Sequence, residues 1–316
     1  MPILVTGGCG FIGSHLVDRL TEIGHTVRVL DDISTGSRCN LPPGVEVHEG
    51  CVTDATAVAA ATQDVDAVFH LAAIASVTRS NDEWLWSHSV NQSGTVTVFN
   101  SARARQLPVV YASSAAVFGG RERMPLSERI EPSPLTAYGV DKYGCELHAR
   151  VAARIHHVPN VGLRFFNVYG PRQRPDSPYS GVITTFADRV ARGLPMCLHG
   201  DGGQTRDFIH VGDVVNALIL AMERCHRALA NKDPCAEIYN VCTGVPTSVR
   251  SVAELVMAAA GRHVPIEHGP PRTGDVRASV GDPTHAAELL GFRAQIGLAE
   301  GLAPLLARDA FASATA

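Results

Sequence analysis

Three side chains have the types and spacing needed to take a proton from an alcohol. Tyr138 and Lys142 stand at i and i+4 in Tyr138-Gly139-Val140-Asp141-Lys142, so a helix there puts both on one face. Ser114 closes the apolar run Val109–Ala112 and Ser113, and Ala115-Ala116 follow it. The chain between Ser114 and Tyr138 leaves room for a loop that folds the helix back over the strand end. A phenol ionises near pH 10, roughly three units too high for a base at neutral pH. An ammonium about 5 Å away contributes on the order of 3 kcal/mol at an effective dielectric of about 20, near two pK units. A second cation beside it brings a phenol toward about 7, where general bases work best. Ser114 would then hold the alcohol and pass its proton.

The start of the chain supplies that second cation. Thr6-Gly7-Gly8-Cys9-Gly10-Phe11-Ile12-Gly13-Ser14-His15 lies between the apolar Ile3–Thr6 and the amphipathic Ile12–Ile23. It fits both Gly8-x-Gly10-x-x-Gly13 and Gly7-x-x-Gly10-x-x-Gly13. Such glycines make a tight turn, let the backbone approach a pyrophosphate, and set it at a helix N-terminus. The next strand ends in Leu30-Asp31-Asp32, where an acid accepts from ribose hydroxyls. Two adjacent carboxylates repel a 2′-phosphate. They point to NAD, with Arg38 the nearby residue that would favour NADP.

These residues need a sheet to position them. Ile3–Thr6, Val27–Asp31, Val45–His48, Ala67–His70, Val109–Ala112 and Gly162–Phe166 read as strands, and Ile12–Ile23 and Asp82–Arg105 read as amphipathic helices between them. The alternation predicts an α/β, Rossmann-type doubly wound parallel sheet with ligands at its C-terminal edge. After Asn167 the texture changes to a loop rich in Pro, Arg and Ser. Helices over Val182–Arg192, Val211–Arg227 and Val249–Ala260 follow, with short strands and many glycines. The expected division is a dinucleotide-binding domain over 1–168 and a smaller α/β substrate-binding domain over 169–316, with segments of the latter free to return to the sheet.

The 316 residues are 45% hydrophobic and 18% charged, enough apolar material for a substantial core. The net charge of −4 comes without runs of like charge, which excludes an electrostatic footprint for nucleic acid. Apolar stretches such as Ala217–Met222 are far shorter than the roughly 20 residues of a membrane span. The N-terminal Met1-Pro2-Ile3-Leu4-Val5 lacks the charged start of a signal peptide. Eight cysteines without a Cys-x-x-Cys pair argue against a metal site and a disulfide framework, and for a reducing cytoplasm.

With these residues in view, the sequence resembles the extended short-chain dehydrogenase/reductase family, most closely its UDP-hexose 4-epimerases. The motifs are the glycine turn, His70-Leu71-Ala72-Ala73, Asn91-x-x-Gly94-Thr95, Tyr138–Lys142, Leu163-Arg164-Phe165-Phe166-Asn167-Val168-Tyr169-Gly170-Pro171-Arg172-Gln173 and Gln204-Thr205-Arg206-Asp207-Phe208. Together, in order, they cover nearly the whole chain. The resemblance implies that Phe11, Ile12 and the segment Asp31, Asp32, Ile33, Ser34, Thr35 and Gly36 touch the adenosine half of NAD. It implies that Leu71, Ala72, Ala73, Ala75, Asn91, Tyr138, Lys142 and Phe166 surround its ribose and nicotinamide. At the adenine, where the family carries an aspartate and an aliphatic residue, this chain has Cys51-Val52, and a thiol is a poor acceptor. Where the family has Val-Tyr-Gly, this chain has Val117-Phe118-Gly119.

The resemblance further implies a UDP-sugar site built from Ser114, Tyr138, Asn167, Val182, Ile183, Cys197, Leu198, His199, Arg206, Arg272, Asp275 and Ser279. Fixed guanidinium forks at Arg206 and Arg272 suit a diphosphate. His199 reads as a wall of the uracil site, and His70 and His210 as structural. The implied reaction is C4 epimerisation. Tyr138 takes the 4-hydroxyl proton, the C4 hydride moves to a permanently bound NAD, and it returns to the opposite face of a 4-keto sugar. The family's dehydratases and decarboxylases carry an acid just after the strand-end Ser or Thr. Ala115-Ala116 supplies none, which leaves an epimerase or a 4-ketoreductase, with a non-catalytic NAD sensor as the reading from another class. Seven residues past Arg272, a bulky tyrosine restricts some members to plain hexoses. Ser279 leaves room here for a 2-acetamido group, and Arg174 keeps UDP-glucuronate open. The expected assembly is a homodimer through Asp82–Arg105 and Thr136–Arg154.

Overall fold

The computed structural model describes residues 1–174, 181–271 and 275–306. Its first layer is a parallel sheet of seven strands. They are β1 (Pro2–Thr6), β2 (Thr26–Asp31), β3 (Glu46–Glu49), β4 (Ala67–His70), β5 (Val109–Ser114), β6 (Asn160–Phe165) and β10 (Ala236–Val241), in the order β3-β2-β1-β4-β5-β6-β10. β4 and β6 are buried at every position, as expected for central strands covered on both faces. The order reverses between β1 and β4. That switch point opens a crevice at the strands' C-terminal ends.

Helices cover both faces. On one side α1 (Phe11–Glu22) packs against α8 (Val211–Asn231), sharing a core of Leu16, Val17, Val214, Leu218 and Phe69. On the other lie α2 (Ala55–Thr62), α5 (Gly94–Ala102) and α6 (Ala137–His156), whose Val58, Val98 and Ala149 meet Val68 and Tyr111. The expected single helix over Asp82–Arg105 is broken. The chain forms α3 (Val77–Asp82), α4 (Trp84–His88), a wide π-turn over Ser89–Ser93, and then α5. Glu83 leaves helical geometry with ψ at 50°, and the π-turn faces Asn91 inward, where its side chain grips both Ile74 N–H and Ile74 C=O. Periodicity alone does not show such an interruption.

The second unit has its own core of Ile183, Phe186, Val190, Leu198, Val252 and Val256. It contains α7 (Val182–Arg192) and α9 (Val249–Ala260), with α10 (Leu298–Leu306) beside them. One small sheet joins β7 (Asn167–Tyr169), β9 (Thr205–His210), β11 (Pro246–Ser248) and β13 (Ala278–Ser279). Another pairs β8 (Met196–His199) with β12 (Ile266–Gly269). Residues 211–241 return to the large sheet as α8 and β10, so the chain crosses between the units more than once.

A buried ion pair ties α6 to the large sheet. Arg164 Nε and Nη2 donate to the two carboxylate oxygens of Glu146 at 2.8 and 2.7 Å, and Ser113 Oγ donates to the same carboxylate at 2.6 Å. The guanidinium also lies 4.7 Å from the centre of the Phe118 ring. Both partners are almost wholly out of water, so each makes the other tolerable. Arg164→Met should therefore cost about 3–5 kcal/mol in urea unfolding by stranding the Glu146 charge. The double variant Arg164→Met/Glu146→Leu should recover much of that loss; additive losses would argue against a coupled pair. A smaller effect is expected at the start of α6, where Thr136 Oγ1 caps Gly139 N–H at 3.1 Å. Thr136→Ala should cost about 1 kcal/mol in the same assay.

Candidate active site

The N-terminal turn of α6 lies directly on the outlet of β5. At Gly139 a Cβ would stand 2.7 Å from the Ala116 carbonyl oxygen, so only glycine permits the approach. After Ser114 the chain makes a tight turn over Ala115–Phe118, started by Ser114 Oγ accepting from Ala116 N–H at 3.1 Å. Lys142 is 3% exposed and donates from Nζ to the Ala112 carbonyl at 2.9 Å. Its ammonium stands 5.8 Å from the centre of the Tyr138 ring. Tyr138 and Ser114 are both half-buried. The structure thus brings Ser114, Tyr138 and Lys142 to the sheet's C-terminal edge. Phe166 follows Phe165, the register partner of Ser114, and packs against Phe118.

The glycine turn is shaped for a ligand. Gly7 has φ +72°, and a Cβ there would meet Ala72 N at 2.6 Å. A Cβ on Gly13 would meet Gly7 O at 2.1 Å, which fixes the close contact of α1 with the turn. Gly10 is less confined, a Cβ there meeting only Gly7 O, at 3.2 Å. α1 begins without a side-chain cap or an acid in its first turn, leaving its N-terminus suited to an anion. Asp31 stands at the end of β2. Its oxygens accept from Cys9 N–H at 2.9 Å and Ile33 N–H at 2.8 Å, and burial pushes its carboxyl upward. Asp32 binds Ser34 in the exposed part of the same loop, and Arg38 is paired with Glu49. These residues fit a dinucleotide. Cys51 Sγ accepts from Thr53 Oγ1 at 3.1 Å, and Val52 is buried against the position where Gly94 lacks a side chain.

Opposite this cradle, Arg206 on β9 donates to Asp275 and to the Thr205 carbonyl, and its strand pairs Arg206 with Ser279 of β13. His199, Gln204, Asp275 and Arg277 line a cavity of about 310 Å³. α7 opens at Val182, again with no side-chain cap and no acid in its first turn. Ile183 and Leu198 point into the second core, so only their backbone can reach a ligand. Cys197 is partly exposed beside Gly269, and Asn167 is exposed. Arg272 lies outside the described residues. The two halves meet where Gly281, just past Ser279, lies against Phe166 and Cys242.

Sequence reasoning missed the polar groups that hold these segments. Asp207, next to Arg206, accepts from Thr243 N–H and Oγ1, Gly244 N–H and Gly281 N–H. Burial pushes its carboxyl up, against those hydrogen bonds. Glu146 was unmarked and Arg164 stood only inside a motif, although a charge inside the apolar run Gly162–Phe166 was the available signal.

Known proteins share this sequence pattern and fold. Residues 3–242 match the model of the NAD dependent epimerase/dehydratase family. The UDP-glucose 4-epimerase of Mycolicibacterium smegmatis is 36% identical over 96% of each chain. The structure of a UDP-glucose 4-epimerase from Thermotoga maritima with UDP-glucose superposes with a TM-score of 0.92, at 34% identity and full coverage of both chains. A UDP-N-acetylglucosamine 4-epimerase from Methanobrevibacter ruminantium, in complex with UDP-N-acetylmuramic acid, gives 0.91 at 31% identity over 99% of each. The chain belongs to the NAD-dependent epimerase/dehydratase family.

Proposed function

We propose that this protein is an NAD-dependent nucleotide-sugar 4-epimerase that interconverts the C4 epimers of a UDP-hexose. The observation that carries the reading is the helix bearing Tyr138 and Lys142, locked onto the Ser114 strand end beside the dinucleotide cradle. Gly7, Gly10, Phe11, Ile12 and Gly13 would hold the pyrophosphate, and Asp31–Gly36 with Cys51 and Val52 the adenosine. Leu71–Ala75, Asn91 and Phe166 would hold the nicotinamide half. Bound NAD supplies a reversible hydride acceptor for C4 and is restored in each cycle. Tyr138 removes the 4-hydroxyl proton and gives it back, Lys142 steadies the phenolate by charge, and Ser114 orients the hydroxyl. Arg206 and Arg272 hold the diphosphate, with Asn167, Val182 and Ile183 alongside. Cys197–His199 and Asp275 hold the uridine. Ala115 and Ala116 offer no acid for elimination. Ser279 is small and admits a 2-acetamido group without rejecting a plain hydroxyl, so the substrate class includes both glucose- and N-acetylglucosamine-type sugars.

The same reading places the protein in the cytoplasm, where its eight free cysteines stay reduced. It also makes it a homodimer. The outer face of α6 exposes Val140, Leu147, Val151 and Ile155 at helical spacing, with Leu85 of α4 and Val96 of α5 also exposed. That is an apolar stripe suited to a second copy of itself.

Incubation with UDP-glucose, UDP-N-acetylglucosamine and UDP-glucuronate separately, without added cofactor, should yield C4 epimers by NMR with no net NADH. Stoichiometric NAD consumption would indicate an oxidoreductase, and no turnover with NAD still bound would indicate a sensor. Tyr138→Phe should lower turnover by about 10³-fold while NAD stays bound; undiminished turnover would sink the assignment. For the assembly, Val151→Asp should convert a dimer to a monomer in light scattering. A wild-type monomer would overturn the dimer.

A further inference from the structure

His70 lies at the end of β4, 3% exposed, and is not among the residues assigned above to proton transfer or cofactor binding. Its surroundings nevertheless fix the state of its ring. Thr95 Oγ1 stands 2.6 Å from the Asn91 carbonyl and must donate there, since a carbonyl only accepts. Thr95 Oγ1 therefore accepts from His70 Nε2 at 3.0 Å. On the other side Ala72 N–H donates to Thr6 Oγ1 at 3.3 Å, and Thr6 Oγ1 donates to His70 Nδ1 at 2.7 Å. The hydrogens form one directed chain, from Ala72 N–H through Thr6, His70 and Thr95 to Asn91 C=O. With the ring neutral, this pattern assigns its proton to Nε2. Burial, aided by the nearby Lys142 charge, pushes the imidazolium form down to about 3, so the ring is neutral at any working pH.

The ends of this chain are significant. Thr6 precedes the glycine turn. Ala72 begins the segment that reaches Ile74, whose N–H and C=O are gripped by the Asn91 side chain. Cys145, on α6 and one turn past Lys142, closes the set by donating toward the Asn91 carbonyl and Thr95 Oγ1 at 3.3 Å. Four segments that surround the crevice thus share one buried polar layer. We propose that His70 is a positioning residue of the reaction. Through Thr6 and Thr95 it sets the distance between the 71–75 segment and the α6 helix, and so holds the nicotinamide half of the cofactor within hydride reach of the sugar. This rests on the epimerase reading above, because only a reaction that must return a hydride to the same carbon needs that distance held through a whole cycle.

The test uses His70→Gln and His70→Asn in the full-length protein purified with its own cofactor. His70→Gln keeps a donor toward Thr95, and His70→Asn keeps an acceptor toward Thr6. With UDP-glucose, both should keep KM within about twofold and lose about tenfold in kcat. Both should also build up absorbance at 340 nm, because some 4-keto sugar leaves after giving its hydride to NAD, before that hydride is returned. A fall in melting temperature with unchanged kcat and no 340 nm signal would reduce His70 to a structural role and overturn the proposal. Nitrogen NMR of the wild-type protein labelled at histidine is independent of turnover. It should show His70 as the Nε2–H tautomer at pH 7. An Nδ1–H tautomer or a cation would overturn the proposal even if the epimerase reading stands. A wild type that turns over no UDP-hexose, with the Nε2–H tautomer present, would instead sink the epimerase reading.

Discussion

The architecture depends on one close approach, that of the first turn of α6 to the outlet of β5. Two contacts set it. Gly139 lets the helix backbone lie against the Ala116 carbonyl, and Lys142 reaches past it to the Ala112 carbonyl. An ammonium taken out of water is costly unless it finds oxygen partners, so Lys142 acts as a bolt between helix and strand as well as a charge. Tyr138, one turn earlier, is then carried by the same helix end beside the Ser114 turn, with the Lys142 ammonium 5.8 Å from its ring centre. A change that moved α6 by an ångström would separate the phenol from the hydroxyl it serves.

The rest of the fold maintains this approach from below. One turn further along α6, Glu146 meets Arg164 of β6 and Ser113 of β5, so the helix is pinned to two adjacent strands by a charge pair that water cannot reach. Between these points Cys145 faces Asn91 and Thr95. The π-turn belongs to the same device. By widening the helix at Ser89–Ser93 it presents both the carbonyl and the side chain of Asn91 to the buried layer. On the substrate side Asp207 plays a comparable part, drawing β9, the loop at Thr243 and Gly281 to one carboxylate beside Arg206.

Much of this was legible in the sequence, because strong local patterns carry it. Strands β1 to β6 of the large sheet, the glycine turn and the extents of α7 and α9 follow from apolar runs, punctuation and periodicity. The Tyr138–Lys142 pair could be read because i, i+4 spacing maps directly onto a helix face. What periodicity could not give was where an amphipathic stretch stops being regular. The π-turn at Asn91 goes with side-chain bonds to the backbone of Ile74, a contact that periodicity does not register. Nor could it give the return of β10 to the sheet, since a strand sequence does not name its neighbour. The buried partners of Glu146, Asp207 and His70 were hidden for the same reason. Each is an ordinary polar residue until tertiary packing removes water from it.

The central claim is that one site takes a hydride from C4 of the sugar and returns it to the same carbon. On the proposed reading Tyr138 would handle only the hydroxyl proton, and Ala115 and Ala116 offer no acid to work on a C–H bond. Epimerisation of UDP-glucose carrying deuterium at C4 tests this most directly. The deuterium should remain at C4 in both epimers, with none gained from heavy water by unlabelled substrate. Loss of the label to solvent would mean that the carbon is deprotonated instead, and would contradict the account.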